Sequence, residues 1–445
     1  MPTAEKLYEA RWIVPVEPVG EVLEGHALVT AGDRIVALLP VPVARSRYPD
    51  AERIALPRHL LIPGLVNAHT HAAMTLLRGY ADDYPLEIWL REHVWPAEGA
   101  FAGAPGFVRD GTRLAIAEML RSGTTCFADQ YFFADQAAAA CSEAGIRAQL
   151  GVIVIDFPTP WARSLDEYLE KGLAVRDAWK HDPLVGFVFA PHSPYTVGDD
   201  ALTRVRVLAN ELDLPVQMHV HETADELATA LAASGERPLA RLARLGLLNP
   251  SFSAVHATQL DDADIAALAD SGAGVVHCPQ SNLKLASGFC PVARLLAAGV
   301  NVALGTDGAG SNNDLDLLDE MRTASLLAKG VAGDASALSA HAALRMATLA
   351  GAQALCLTSE IGSLEAGKQA DFIAVDLDRA ATTPVYDPVH ALVYAATREQ
   401  ITDVWVAGRR LLADGALTTL DDAEVRANAR AWAQKISARR AEAVA

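Results

Sequence analysis

The sequence is short of cysteine, of basic residues and of long apolar runs, and each shortage removes a class of protein. Its five cysteines, Cys126, Cys141, Cys278, Cys290 and Cys356, are odd in number, scattered and never spaced as Cys-x-x-Cys. Neither a disulfide framework nor a thiolate zinc knuckle is indicated, and reduced, mostly buried thiols are expected. Lys and Arg number 37 against 55 Asp and Glu, a formal net charge of −18. Phosphate contacts need clustered basic side chains, so a nucleic-acid partner is not expected. No apolar stretch approaches the roughly 18 residues of a membrane span. Met1–Val16 also lacks a basic segment leading into an apolar run and a small-residue cleavage site. A cytoplasmic protein with no membrane partner is the expectation.

What is present is enough for a large core. At 445 residues and 51% hydrophobic content the chain fits a barrel of roughly 250 residues plus a second unit. Eight short apolar runs rich in Val, Ile and Ala alternate with helix-like segments: Leu60–Ala68, Thr124–Asp129, Arg147–Ile155, Val185–Ala190, Pro215–Met218, Phe252–Val255, Gly274–Val276 and Asn301–Gly305. That alternation predicts a (β/α)8 TIM-like barrel of the α/β class, with its active face at the C-terminal strand ends. Toward the ends of the chain, Tyr8–Val19, His26–Thr30, Arg34–Leu39, Asp371–Val375 and Ile401–Val406 read as further strands. Residues 1–58 and 356–445 are therefore expected to build one small β-sandwich domain around a 59–355 barrel. A terminal helix is expected from Asp421, with Val425, Ala429, Trp432 and Ile436 on one face.

Ionisable residues gather at the predicted strand ends. Asn67-Ala68-His69-Thr70-His71 closes the first run, and alternation along a strand sends both imidazoles to one side. Met218-His219-Val220-His221-Glu222 closes the fifth; His219 is preferred as a ligand on its spacing to Glu222, with His221 the competing candidate. Leu304-Gly305-Thr306-Asp307-Gly308 closes the eighth with a carboxylate among glycines that permit close approach. His69, His71, His219 and Asp307 thus form a candidate set for one divalent metal, Zn2+ or alternatively Fe2+. Such an ion lowers the pKa of water toward roughly 7, which suits hydrolysis. Two-metal barrels of this type commonly carry a bridging Lys at the fourth strand end; here that place reads Ala190-Pro191-His192-Ser193-Pro194-Tyr195, so one metal is expected. His256 is then free to hydrogen-bond the attacking hydroxide. His277 and Cys278 are expected to pack beneath the pocket.

Taken together, Pro63-Gly64-Leu65-Val66-Asn67-Ala68-His69-Thr70-His71, Leu77-Arg78-Gly79, Trp95-Pro96-Ala97-Glu98, His192-Ser193-Pro194-Tyr195, Ser281-Asn282-Leu283-Lys284-Leu285 and Gly305-Thr306-Asp307-Gly308 resemble the amidohydrolase superfamily. Within it they resemble the methylthioadenosine/S-adenosylhomocysteine deaminases. The resemblance implies that Glu98 binds ribose hydroxyls, His192 contacts the purine and Trp89 walls the pocket, and it implies a homo-oligomer, a dimer by expectation. Relatives that bind adenosylhomocysteine hold its carboxylate with arginines beyond the third strand. Here Gly151–Phe157 is apolar apart from Asp156, which leans the reading toward the smaller methylthio substituent; the nearest basic group, Arg163, is the candidate at that end for binding substrate.

The expected reaction is hydrolytic loss of the adenine C6 amino group from a purine nucleoside. Glu222 protonates the ring nitrogen beside C6, Asp307 takes the proton of water and passes it to departing ammonia, and His256 orients the nucleophile. A free glutamic acid is ionised at neutral pH, so burial must raise the pKa of Glu222 or the water must load it. The alternatives are deamination of another heterocycle such as guanine, an oxidised purine or a pterin, a triazine-type chlorohydrolase, and, remotely, a non-catalytic barrel scaffold.

Overall fold

The barrel follows from short β-branched runs buried on both faces and linked by amphipathic helices. In the computed structural model, which describes residues 5–444, its strands are Leu65–Thr70, Thr124–Asp129, Arg147–Val154, Val185–Pro191, Val216–Val220, Phe252–His256, Gly274–His277 and Val302–Leu304. Apart from Gly186, every residue in them is buried. Consecutive strands pair in parallel to give one eight-stranded sheet. The first and eighth strands meet through a side chain instead of a described ladder. Asn67 donates to Thr306 Oγ1 at 2.8 Å and accepts the Thr306 N–H at 3.0 Å, and the Asp307 N–H reaches the His69 carbonyl at 3.1 Å. Gly305 at this seam has no room for a side chain: a Cβ there would lie 2.8 Å from the Cβ of His69.

The run Leu60–Ala68, expected as one barrel strand, is divided. Glu52–Pro63 belongs to a second sheet, and the barrel begins only at Leu65, across Gly64. That second sheet is mixed, has nine strands and is built from both ends of the chain. Glu52–Pro63 lies between Lys6–Ile13, to which it is parallel, and Phe372–Asp376, to which it is antiparallel. Arg409–Ala413 and Ala416–Leu417 extend the sheet beyond Ile401–Val406. Phe372 stacks on Trp405 with ring centroids 4.5 Å apart, and Tyr8 meets both rings edge-on.

Two features tie the sheet and the barrel together. Arg147, which opens the third barrel strand, forms a buried ion pair with Asp371 at 2.9 Å, and Asp371 also accepts the Ala407 N–H at 2.6 Å. The terminal helix Asp422–Val444, grouped from sequence with the small domain, packs instead on the barrel helix Phe107–Arg121. Its Trp432 meets Phe107 edge-on and donates to Asp110 at 2.9 Å. The outermost residues of the two terminal segments, 1–4 and 445, lie outside the described residues.

Candidate active site

The strand ends bring His69, His219, His256 and Asp307 together, one ligand atom of each lying within 4.8 Å of the others. His71 joins them, its Nε2 3.1 Å from Asp307 Oδ1. Fixed partners behind the rings set the tautomers. Gln217 donates to the Ala68 carbonyl at 2.7 Å, so its Oε1 accepts the Nδ1–H of His69, also at 2.7 Å. The Nδ1–H groups of His71 and His219 donate to the Gln130 and His192 carbonyls, each at 2.7 Å. The Nε2 atoms are thereby left facing inward, and the lone pairs of His69 and His219 stand 3.1 Å apart. Two facing lone pairs beside a buried carboxylate fit a cation, and imidazole with carboxylate is the donor set of zinc or ferrous iron. Burial lowers the pKa of His69 to about 4, which keeps it neutral as a ligand must be. Burial also opposes charge on His71, but Asp307 outweighs it and holds the group up at about 9.

Asp307 is anchored by two hydroxyls, Ser281 Oγ and Ser311 Oγ, each 2.7 Å from Oδ2. Its backbone, like that of His256 and His221, is left-handed, with φ of 61°, 73° and 56° respectively. Non-glycine residues held there cluster at functional sites. His256 donates Nδ1–H to Asn282 Oδ1 at 2.8 Å, and its Nε2 lies 3.8 Å from Glu222. Burial first, and the Asp307 carboxylate second, push Glu222 up to about 8. The Glu222 main chain is held by Glu226, whose carboxylate accepts the N–H groups of His221 at 2.9 Å and Glu222 at 2.7 Å.

A cavity opens over this cluster, lined by Trp89, Glu98, Gln130, His192 and Glu222 together with apolar side chains that include Leu86, Leu90, Val94, Trp95, Ile153 and Ile155. Trp89 opens a π-helical turn, Trp89–Val94, and is 6% exposed. Glu98 follows in the next turn of helix and is buried; burial raises its carboxyl to about 7 against the opposing effects of Tyr131 and His71. Among the described residues no Lys or Arg lines this cavity.

Comparison with known proteins adds to this geometry. The amidohydrolase family model matches residues 60–411. The chain belongs to the amidohydrolase family. It is 52% identical over 438 residues to a protein of Teredinibacter turnerae named 5-methylthioadenosine/S-adenosylhomocysteine deaminase, covering 98% of this chain and 99% of that one. A protein of Saccharophagus degradans with the same name is 50% identical over 438 residues, covering 98% of each chain. A crystal structure described as an adenosine deaminase from Xanthomonas campestris with bound zinc superposes with a TM-score of 0.96 at 53% identity, over 98% of this chain and 100% of that one.

Within the amidohydrolase site the two expected candidates at the fifth strand end part company. The strand stops at Val220, and the left-handed turn at His221 breaks the alternation that had placed both imidazoles on one side. His219 faces the cluster. His221 is buried elsewhere, its Nε2 accepting the Leu239 N–H at 3.2 Å and its Nδ1 donating to the Gln259 carbonyl at 3.1 Å. Arg163, expected to bind substrate, is instead exposed and lies outside the cavity lining, in a separate depression with Trp161, Glu167 and Lys171. Its N–H is taken by Glu167 at 2.8 Å as the following helix is capped at Ser164, which turns this segment outward. Cys278 packs with Ala68, Val255 and Ala303, and His277 is buried outside the cavity lining.

Several supporting residues went unassigned from sequence. Gln217 stands two residues before His219 on the same strand, so alternation was an available signal. Thr223-Ala-Asp-Glu226 reads as a capping box, yet Glu226 reaches back past the N-cap to the two preceding N–H groups. Ser281 and Asn282 lie in a motif that carried the resemblance without a stated role, and nothing in the sequence marked Ser311 or Gln130.

Proposed function

We propose that this amidohydrolase removes the adenine C6 amino group of a purine nucleoside, 5′-methylthioadenosine foremost, giving ammonia and the inosine analogue. The observation that carries this is Glu98: a buried carboxylate in the same cavity as the His/Asp cluster is suited to ribose hydroxyls, which a free base does not offer. The names of the relatives at 50% identity and above support the same chemistry. The apolar lining, with no Lys or Arg among its described residues, favours a methylthio group over a charged amino-acid tail.

His69, His71, His219 and Asp307 would hold one divalent cation, zinc in our reading, supported by the donor set and by the zinc in the Xanthomonas structure. Such a cation supplies Lewis acidity, making hydroxide available near neutral pH. Asp307 accepts the proton of the attacking water and later delivers it to the departing amine. With its Nδ1–H committed to Asn282, His256 presents Nε2 as an acceptor that orients the nucleophile. Glu222, held protonated near neutrality by burial, donates to the ring nitrogen beside C6 as the nucleophile's oxygen bonds to carbon. The C6–N bond then breaks, ammonia leaves, and the C6 hydroxyl returns its proton to Glu222 as the carbonyl forms. His192, its carbonyl committed to His219, offers the purine its ring, and Trp89 closes the wall.

Following the adenine ultraviolet band with methylthioadenosine, adenosine, adenosylhomocysteine and guanine tests this reading. Fastest conversion of methylthioadenosine to its inosine analogue is expected; turnover of guanine with none of any adenine nucleoside overturns it. Metal analysis and reconstitution of the chelated protein with zinc or ferrous iron test the ion. The family resemblance carries the further expectation of a cytoplasmic homodimer, which sedimentation of the purified protein and fractionation of cells test.

A further inference from the structure

Gln130 brings to the cavity an amide with nothing to bind at either end. It follows the second barrel strand, is 3% exposed and lines the cavity, and neither Oε1 nor Nε2 has a hydrogen-bond partner among the described residues. Its main chain is fully used: the N–H donates to the Thr70 carbonyl at 2.9 Å and the carbonyl accepts from His71 at 2.7 Å. The residue is therefore held firmly while its amide stays unpaired. A buried amide without partners is destabilising, so a carboxamide kept there points to a partner that arrives with the substrate.

We propose that Gln130 is a substrate-binding residue that donates a hydrogen bond to a ribose hydroxyl and shares the diol with Glu98. This rests on the nucleoside reading above. Both residues line the cavity beside His71: the Gln130 carbonyl holds that ring, and the Glu98 carboxyl feels its charge. Glu222 and His256 neighbour each other within the same cavity and serve the ring chemistry. A vicinal diol offers two O–H donors and oxygen lone pairs, and a carboxylate can only accept. Glu98 takes the O–H groups and leaves the lone pairs unmet; an amide N–H supplies the missing donor, while the Tyr131 O–H in the same lining lies against Glu98 itself and no Lys or Arg among the described lining residues competes for that task.

Loss of this amide should move stability and recognition in opposite directions. Gln130→Leu removes an unpaired amide from the free protein, so its thermal midpoint should equal or exceed the wild-type value. A merely structural glutamine predicts a drop. The same change should lower kcat/KM for methylthioadenosine about three- to tenfold, the worth of one hydrogen bond. It should also abolish discrimination against either the 2′-deoxy or the 3′-deoxy nucleoside, measured as the ratio of kcat/KM values. A lowered midpoint, or wild-type discrimination against both deoxy nucleosides in Gln130→Leu, overturns the inference alone. Failure of the wild-type enzyme to act on any adenine nucleoside overturns the nucleoside reading and the inference with it.

Discussion

Glu226 receives the backbone N–H of Glu222 at 2.7 Å and that of His221 at 2.9 Å, so one buried carboxylate fixes the turn from which the proposed acid projects. Glu226→Ala leaves both N–H groups unpaired, at about 1–3 kcal/mol each. A lower thermal midpoint and a fall in kcat exceeding any rise in KM are expected. Glu226→Gln keeps one acceptor and should lie between. Wild-type kcat in Glu226→Ala would separate Glu226 from the positioning of Glu222.

Glu222→Gln is close to isosteric and lacks the transferable proton. We expect kcat to drop by about 10²–10⁴ with metal content and thermal midpoint near wild type. Retained turnover would remove Glu222 from the reaction.

Legibility from sequence divided along physical lines. Apolar runs of one strand length repeat through the barrel, so seven of its eight strands could be read closely; the first was started too early, at Leu60, because Gly64 joins two buried strands with no polar break. The candidate metal-binding histidines were visible because His-x-His after a strand has few structural uses. Gln217, Asn282, Ser281 and Ser311 were not, because an amide or hydroxyl becomes meaningful only when folding brings it to a ring or carboxylate distant in sequence. Gln217 and His69, for example, are 148 residues apart.

Glu98 gives a pH signature in chelator-treated protein. Burial raises its carboxyl from 4.5 to about 7, so the native state keeps a proton that the unfolded chain loses. Its contribution is present below about pH 4.5 and is lost as pH rises toward 7, levelling above that at a loss of about 3 kcal/mol. Glu98→Gln should therefore gain stability over wild type as pH rises from 4.5 to 8, read as the difference between their denaturant midpoints. Parallel profiles would mean that the carboxyl ionises freely.

Arg147 and Asp371 are both buried, with side chains 8% and 1% exposed. Asp371→Ala strands a guanidinium between sheet and barrel, and a loss of about 3–5 kcal/mol is expected in denaturant unfolding. KM should change little, since the pair sits at the opposite end of the third strand from the cavity. A loss under about 1 kcal/mol would show that water relieves the charge.

The seam at Asn67 has one more implication. Seven joints of the barrel are ladders of main-chain hydrogen bonds, and the eighth rests on one amide and the Asp307 N–H. His69 and Asp307 sit on its two lips. Opening of the barrel wall at this seam would move these two residues apart. The cylinder closes through a side chain where its chemistry is assembled, and what draws His69 and Asp307 together also buttons the wall shut.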